Sequence, residues 1–418
     1  MNVNRLHPLS DEAQPLKILH VIPSLALQLG GSSVVVAELA DALMGLGMQV
    51  KVVTTDALTP ASSTIARGGA APADMPDGAE RLDLELHSLR HPYRLTFSPS
   101  LWRALMDQAR QYELLHIHSL NLFPQFAAWR AAARHQLPYV VSPHGALDPW
   151  FRARGSVRKG LINVLWQRRM LDGAAALHLT SKDERRLIEP LRIRAPHVVI
   201  PNGFDVARFA HPTDSMAFRR RWLAGYAGPL VVNHGRLSEK KGLDILVEAI
   251  ARLDGGPRLA VIGADDEGVG KLLRQQALQL GIGERVTLVP KLSGTDLHGA
   301  IAAADVWALP SHTENFGMAV VEAMAAGRPV VTSPHVNIAP DAAAASALVM
   351  VPNAAEELAI AIGGLLADAG HRERLGRTAR AYVWRFDWSN VGAEYVTLYQ
   401  SIIDQHRAGS VATARRNQ

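Results

Sequence analysis

The sequence predicts an α/β protein of two Rossmann-like domains, each built on a parallel sheet, and three observations lead there. Short apolar runs alternate with segments of helical period along nearly the whole chain. The alternation breaks at residues 203–226, where turn residues and the charged run RRR at 219–221 intervene, and then restarts. The chain has 418 residues, beyond the roughly 250–300 at which a single core stops growing. A β-then-α rhythm with near-continuous apolar strands marks a parallel sheet covered on both faces.

In order, LKILHVI at 16–22 reads as a buried strand, SVVVAELADALMGLG at 33–47 as its helix and QVKVVTT at 49–55 as the next strand. Residues 57–80, rich in Ala, Gly and Pro, read as a long loop. Strands follow at ELLHIH 113–118, PYVVS 138–142, AALHLT 175–180 and HVVIP 197–201. The second half begins with PLVVNHG at 229–235 and the helix GLDILVEAIARL at 242–253. Its later strands are RLAVIG 258–263, RVTLVP 285–290, DVWALPS 305–311 and RPVVTS 328–333. Helical text resumes at 389–406, and the closing AGSVATARRNQ reads as a frayed tail. The expected division is 1–205, 206–385, a crossover helix at 386–408 and a tail at 409–418.

Composition excludes several chemistries. With no cysteine, disulfides, thiol catalysis, cysteine-based zinc sites and iron–sulfur clusters are out. The net charge of +5 suits anionic small ligands or a lipid surface and specifies no nucleic acid. The segment MNVNRLHPLSDEAQPLK lacks the apolar core of a signal peptide, and no apolar run reaches membrane-spanning length. A cytoplasmic protein is expected, with peripheral contact to the inner face of the membrane as an option.

Four short stretches could carry chemistry. In LGGSS at 29–33, Gly30 and Gly31 let backbone amides approach an anion at a helix start, or simply make a tight turn. The stretch is not G-x-G-x-x-G, which counts against a dinucleotide-binding dehydrogenase. SPHGALDPW at 142–150 places His144 and Gly145 after a strand, where open α/β sheets bind ligands, although a histidine there also serves as a plain hydrogen-bonder. In GRLSEKKGLDIL at 235–246, Arg236 and Lys241 could hold a diphosphate without metal, while Glu239 and Lys240 read as surface residues. HTENFGMAVVEAMAAG at 312–327 sets Glu314 before a helix and Glu322 inside it, with the amides of Phe316, Gly317 and Met318 between. That spacing argues against a metal pair on one helical face. The amides favour an anion, and an acid on each side suits the hydroxyl-rich ends of its carrier.

Together, GG, HG, G-R-x4-K-G and P-S-x-x-E-x-F-G-x4-E-A-M-A-x-G resemble the retaining GT-B glycosyltransferases of family 4 (GT4), which include sucrose-phosphate synthases and mannosyltransferases. The resemblance implies two Rossmann-like domains facing across a cleft, with a C-terminal helix crossing back to the first. It makes Glu322 the ribose ligand and Glu314 a contact for the transferred sugar. Arg236 and Lys241 bind the leaving diphosphate with the Phe316, Gly317 and Met318 helix start, and Gly30–Gly31 close over the phosphates. His144, with Gly145, faces the sugar and the acceptor, and Asn202 opens the interdomain connection. The implied reaction is retaining, metal-independent transfer of a hexosyl group from a UDP- or GDP-sugar to a glycan or lipid-diphosphate-linked saccharide. The narrower likeness is to exopolysaccharide and lipopolysaccharide enzymes.

Two positions depart from the family pattern. IGADDEG at 262–268 lacks the usual second glycine, and Lys291 replaces a common glycine; both bear on which base is bound. Residues 150–170, WFRARGSVRKGLINVLWQRRM, would meet anionic lipid or form an ordinary basic helix. A GT-B epimerase and a non-catalytic nucleotide-sugar-binding protein stand as rival readings.

Overall fold

A computed structural model of the chain describes residues 15–26, 31–57, 75–76, 78–153, 157–209 and 214–416. They form two compact units, 1–204 with 388–418, and 205–387.

The first unit holds seven parallel strands: β1 (Lys17–Val21), β2 (Gln49–Thr55), β3 (Asp83–His87), β4 (Leu114–His118), β5 (Tyr139–Ser142), β6 (Ala176–Leu179) and β7 (His197–Val199). Their order is β3-β2-β1-β4-β5-β6-β7, so the direction of winding reverses between β1 and β4. Alternate residues of each strand feed opposite cores. Leu19, Val21, Leu115, Ile117 and Val141 pack on one face, under the helices Pro99–Gln108 and Phe123–His135. Ile18, Val50, Val52, Leu114 and Val140 pack on the other, under the helix Gly31–Gly45 and the last helix, Trp388–Arg416.

That last helix belongs to the first unit by its packing. Val391, Tyr395, Tyr399, Ile402 and Ile403 are buried in the β-sheet core. Its first residue, Trp388, donates from Nε1 to Glu38 Oε2 at 2.9 Å. The indole ring lies against Gly203, where an added Cβ would come within 2.2 Å of ring carbon. The two passages of chain between the units are thus pinned side by side.

The second unit repeats the plan with β8 (Leu230–His234), β9 (Arg258–Ile262), β10 (Val286–Val289), β11 (Val306–Leu309), β12 (Val330–Thr332) and β13 (Val349–Met350). The order is β10-β9-β8-β11-β12-β13, all parallel, and the reversal lies between β8 and β11. Val231, Leu259, Val261, Val306 and Val331 pack under the helices Leu243–Ala251, Val269–Gln279 and Ala355–Ala367.

Three readings need correction. The strand β3, DLELH, is absent from the sequence reading because it is an edge strand alternating polar and apolar residues rather than an apolar run. The two-residue β13 is too short to read. The expected tail is helical through Arg416, as a continuation of the helix that begins at Trp388. Most of the loop expected at 57–80, namely 58–74, falls outside the described residues.

Candidate active site

In parallel α/β sheets, ligands meet the carboxyl ends of the strands where the winding reverses. In the second unit those ends are His234 of β8 and Leu309 of β11. The loop after β8 carries Arg236 and Lys241, and the loop after β11 carries Glu314, so the two stretches become neighbours. The Lys240 carbonyl joins them, accepting from the His312 amide at 2.7 Å and from Ser311 Oγ at 2.8 Å. Gly242 has φ +61°, and the Pro310 carbonyl oxygen would stand 2.1 Å from any Cβ there. The glycine after the lysine is therefore what lets the two loops close on each other.

Between them lies Glu314, with 16% of its side chain exposed. Lys241 Nζ is 3.2 Å from its Oε2 and Lys240 Nζ is 3.5 Å from its Oε1. Burial opposes ionisation of this carboxyl, but the charges of Lys241 and Lys240 outweigh it and hold the group below the ordinary carboxylate range. Lys240 is thus part of the cluster rather than the surface residue the sequence suggested. Lys241 is buried, whereas Arg236 is exposed and has no ion-pair partner among the described residues. The backbone of Glu314 is clamped as well: its amide donates to His335 O at 2.9 Å, and its carbonyl accepts from the Asn337 amide at 3.1 Å.

Phe316 is buried and packs edge-on against Phe386 at 5.3 Å between centroids. Gly317, at φ +91°, caps the helix Met318–Ala325. The first amides of that helix have no carbonyl a turn earlier to bond, which leaves them for an anion. Glu322 lies one turn further on. Trp307 Nε1 donates to His234 Nδ1 at 2.9 Å. Because an indole only donates, the His234 proton sits on Nε2 and is donated to Glu322 Oε2 at 2.5 Å. One carboxylate oxygen is thus fixed by protein.

In the first unit, His144 follows β5 with φ +50°, a left-handed conformation unusual outside glycine, and Gly145 follows at φ +78°. The buried Glu184 holds this turn. Its Oε1 accepts from the Gly145 amide at 3.2 Å, and its Oε2 accepts from Thr180 N at 2.7 Å and Thr180 Oγ1 at 2.8 Å. Burial raises this carboxyl above its ordinary range, against the three hydrogen bonds. Asn202 is buried, and its Oδ1 has no hydrogen-bond partner among the described residues. Gly31 is the first residue of its helix, while Gly30 lies outside the described residues.

Behind the partly exposed His144 are four buried histidines. His144 Nε2 and His118 Nδ1 share a hydrogen bond of 3.0 Å, and His118 Nε2 and His20 Nδ1 share one of 2.9 Å. A second chain runs from Tyr399 through His116 and Ser142 to His178, with contacts of 2.6, 2.6 and 2.7 Å. Burial drives His20 and His144 down to about 3 and His178 to about 4, and it also lowers His116 and His118, so the group is uncharged at neutral pH. Ring nitrogens of His20, His116 and His118 lie within 4.8 Å of one another, a separation a metal could bridge. Hydrogen bonds already engage both nitrogens of His116 and of His118, and Nδ1 of His20.

The sequence matches two family models: "Glycosyl transferase 4-like domain" over residues 30–203 and "Glycosyl transferases group 1" over 217–382. It is 30% identical over 397 residues to the D-inositol 3-phosphate glycosyltransferase of Xylanimonas cellulosilytica, covering 88% of this chain and 91% of that one. The chain belongs to the GT4 glycosyltransferases. A second relative with the same name, from Jonesia denitrificans, is 28% identical over 89% of this chain and 91% of its own length. Among solved structures, Anabaena HepE in complex with UDP and glucose aligns with TM-score 0.73 at 22% identity, covering 92% of this chain and 100% of that one. Sucrose-phosphate synthase of Thermosynechococcus elongatus aligns at 0.74 with 20% identity, over 93% and 100%. These structures establish the GT-B fold for this GT4 chain, and its class as an enzyme follows from the family.

Several residues that shape the site escaped the motif reading. Glu184 stands in S-K-D-E after a strand, a spacing that signals a capping box. His116 and His118 are two apart in β4, hence on one face, and β1 places His20 beside His116 in register. His234 and Trp307 sit within predicted apolar strands and carried no local signal.

Proposed function

We propose that this GT4 enzyme transfers a hexosyl group, with retention and without a required metal, from a UDP- or GDP-sugar to a saccharide acceptor. The observation that carries this is the ionised Glu314, held between Lys240 and Lys241, beside a helix start at the point where the second sheet reverses. The amides and cations suit the diphosphate. Preorganised there, they stabilise charge that grows as the C1–O bond breaks. Glu322, already oriented by His234, is left one oxygen for a ribose hydroxyl. Glu314 then addresses the sugar, Arg236 and Lys241 the phosphates, Gly31 with Gly30 their outer side, and Asn202 the start of the connection. His144 and Gly145 serve the acceptor unit.

A glycan or lipid-diphosphate-linked saccharide is the acceptor we favour. In 150–170, Phe151, Leu161, Val164 and Leu165 are exposed, the last two at 75% and 64%, among Arg152 and Arg169. Such an apolar and basic face suits an anionic lipid surface. The named relatives favour a second reading, a soluble phosphorylated polyol such as inositol 3-phosphate.

One experiment separates these. Purified enzyme is given UDP-, GDP- and ADP-sugars, first in thermal-shift assays and then with lipid-linked saccharides or inositol phosphates, with and without EDTA. Product from one donor with a saccharide, surviving EDTA and aided by anionic vesicles, is expected. Product only with the polyol phosphate would replace the acceptor, and reversible loss in EDTA would remove the metal-free reaction.

A further inference from the structure

We propose that His20, through His118, fixes His144 as the Nδ1–H tautomer, so that His144 offers its ligand a hydrogen-bond donor and not a proton acceptor. His144, His118 and His20 form one chain of hydrogen bonds, 3.0 and 2.9 Å long, each with a single proton. Such a chain has two polarities. In one, His144 Nε2–H donates to His118 Nδ1, His118 Nε2–H donates to His20 Nδ1, and the His20 proton stands on Nε2. In the other, every proton is shifted: His20 Nδ1–H donates to His118 Nε2, His118 Nδ1–H donates to His144 Nε2, and the His144 proton stands on Nδ1.

What decides between them is the far end. His20 is fully buried, and its Nε2 has no hydrogen-bond partner among the described residues. The first polarity strands an N–H donor at that end; the second strands only a lone pair. Buried orphan donors are the rarer and costlier of the two. Burial keeps all three rings neutral, so no additional proton blurs the choice.

The neighbouring chain shows how such polarity is set. The Ile200 carbonyl can only accept, so His178 Nε2, 2.8 Å away, carries the proton, and the Tyr395 hydroxyl 2.9 Å from the same nitrogen accepts a share of it. His178 Nδ1 must then accept from Ser142 Oγ–H, Ser142 Oγ accepts from His116 Nε2–H, and His116 Nδ1 accepts from the Tyr399 hydroxyl. Both nitrogens of His116 are thereby committed, and it cannot supply His20 with an acceptor. No partner for His144 Nδ1 is found among the described residues, which leaves that N–H to the ligand.

The tautomer itself is independent of the reaction; its chemical consequence rests on the proposed transfer. A donor at this place can hold a sugar or acceptor oxygen but cannot take the acceptor's proton, which would go to the leaving phosphate. His118 and His20 are positioning residues.

The test is two-bond ¹H–¹⁵N NMR of histidine-labelled enzyme, which separates the two neutral tautomers without any assay of activity. The Nδ1–H pattern is expected for His144, and an Nε2–H pattern would overturn the proposal. Substitutions at His118 extend it. His118→Asn places an N–H where Nδ1–H stood and should keep both the pattern and kcat. His118→Asp can only accept, should turn His144 to Nε2–H, and should lower kcat about tenfold with KM little changed. Equal patterns in the two variants would also overturn it, and near-UV circular dichroism checks that each is folded.

Discussion

Glu322 owes its orientation to a buried histidine behind it. Trp307 forces the His234 proton onto Nε2, and that proton holds Glu322 Oε2 at 2.5 Å. His234→Phe removes the bond while filling the space, so donor affinity should weaken by roughly ten- to a hundredfold, as for one lost hydrogen bond to a charged group. Calorimetric titration with the nucleotide-sugar measures this, and kcat should change less than the dissociation constant. Arg236 should behave differently. It is exposed, so Arg236→Ala should leave the urea midpoint unchanged while lowering kcat/KM by on the order of ten- to a hundredfold. A stability loss in that variant would assign it a structural role instead.

At the scale of elements, the turn after β5 depends on the helix that follows β6. Glu184, near the start of the helix Lys182–Ile188, ties the Gly145 amide and both donors of Thr180 to one carboxyl group. Glu184→Ala removes the acceptor that these donors share, a cost of about 1–3 kcal/mol by urea denaturation. Activity should fall further than stability, since the left-handed His144 loses its support. The sequence disclosed the elements well where they are buried on both faces: β1, β2, β4 and β8 appear within a residue or two of the expected runs. It failed at β3, whose solvent-facing alternation carries no apolar run. The motif residues were legible because glycines, acids and cations in loops have few structural reasons to sit in that order. Glu184, His234 and the buried histidines were not, because their significance comes from register and packing between segments far apart in the chain.

Taken as a whole molecule, the two units should respond unequally to acid. The first holds five histidines, four buried and His144 partly so, whose folded values lie below the ordinary 6.5, all by desolvation first. A lowered folded value means the unfolded chain binds the proton more readily. Their contribution is therefore present above about 6.5 and is lost as pH falls from there toward 4 and 3. Each proton taken up on unfolding costs about 1.4 kcal/mol per pH unit. The first unit should therefore melt well before the second at pH 5, and the two should draw together at pH 8. Domain-resolved hydrogen exchange across this range measures it; a pH-independent first unit would refute it.

The packing of the helix Trp388–Arg416 also carries a consequence for synthesis. Its tyrosines and isoleucines complete a core whose strands are made first, yet all of residues 205–387 is translated in between. At about 5–20 residues per second, the nascent first sheet waits on the order of ten seconds or more before that helix can pack. Until then the helix Gly31–Gly45 covers that face alone, and the core of the first unit closes only after the whole of the second has been made.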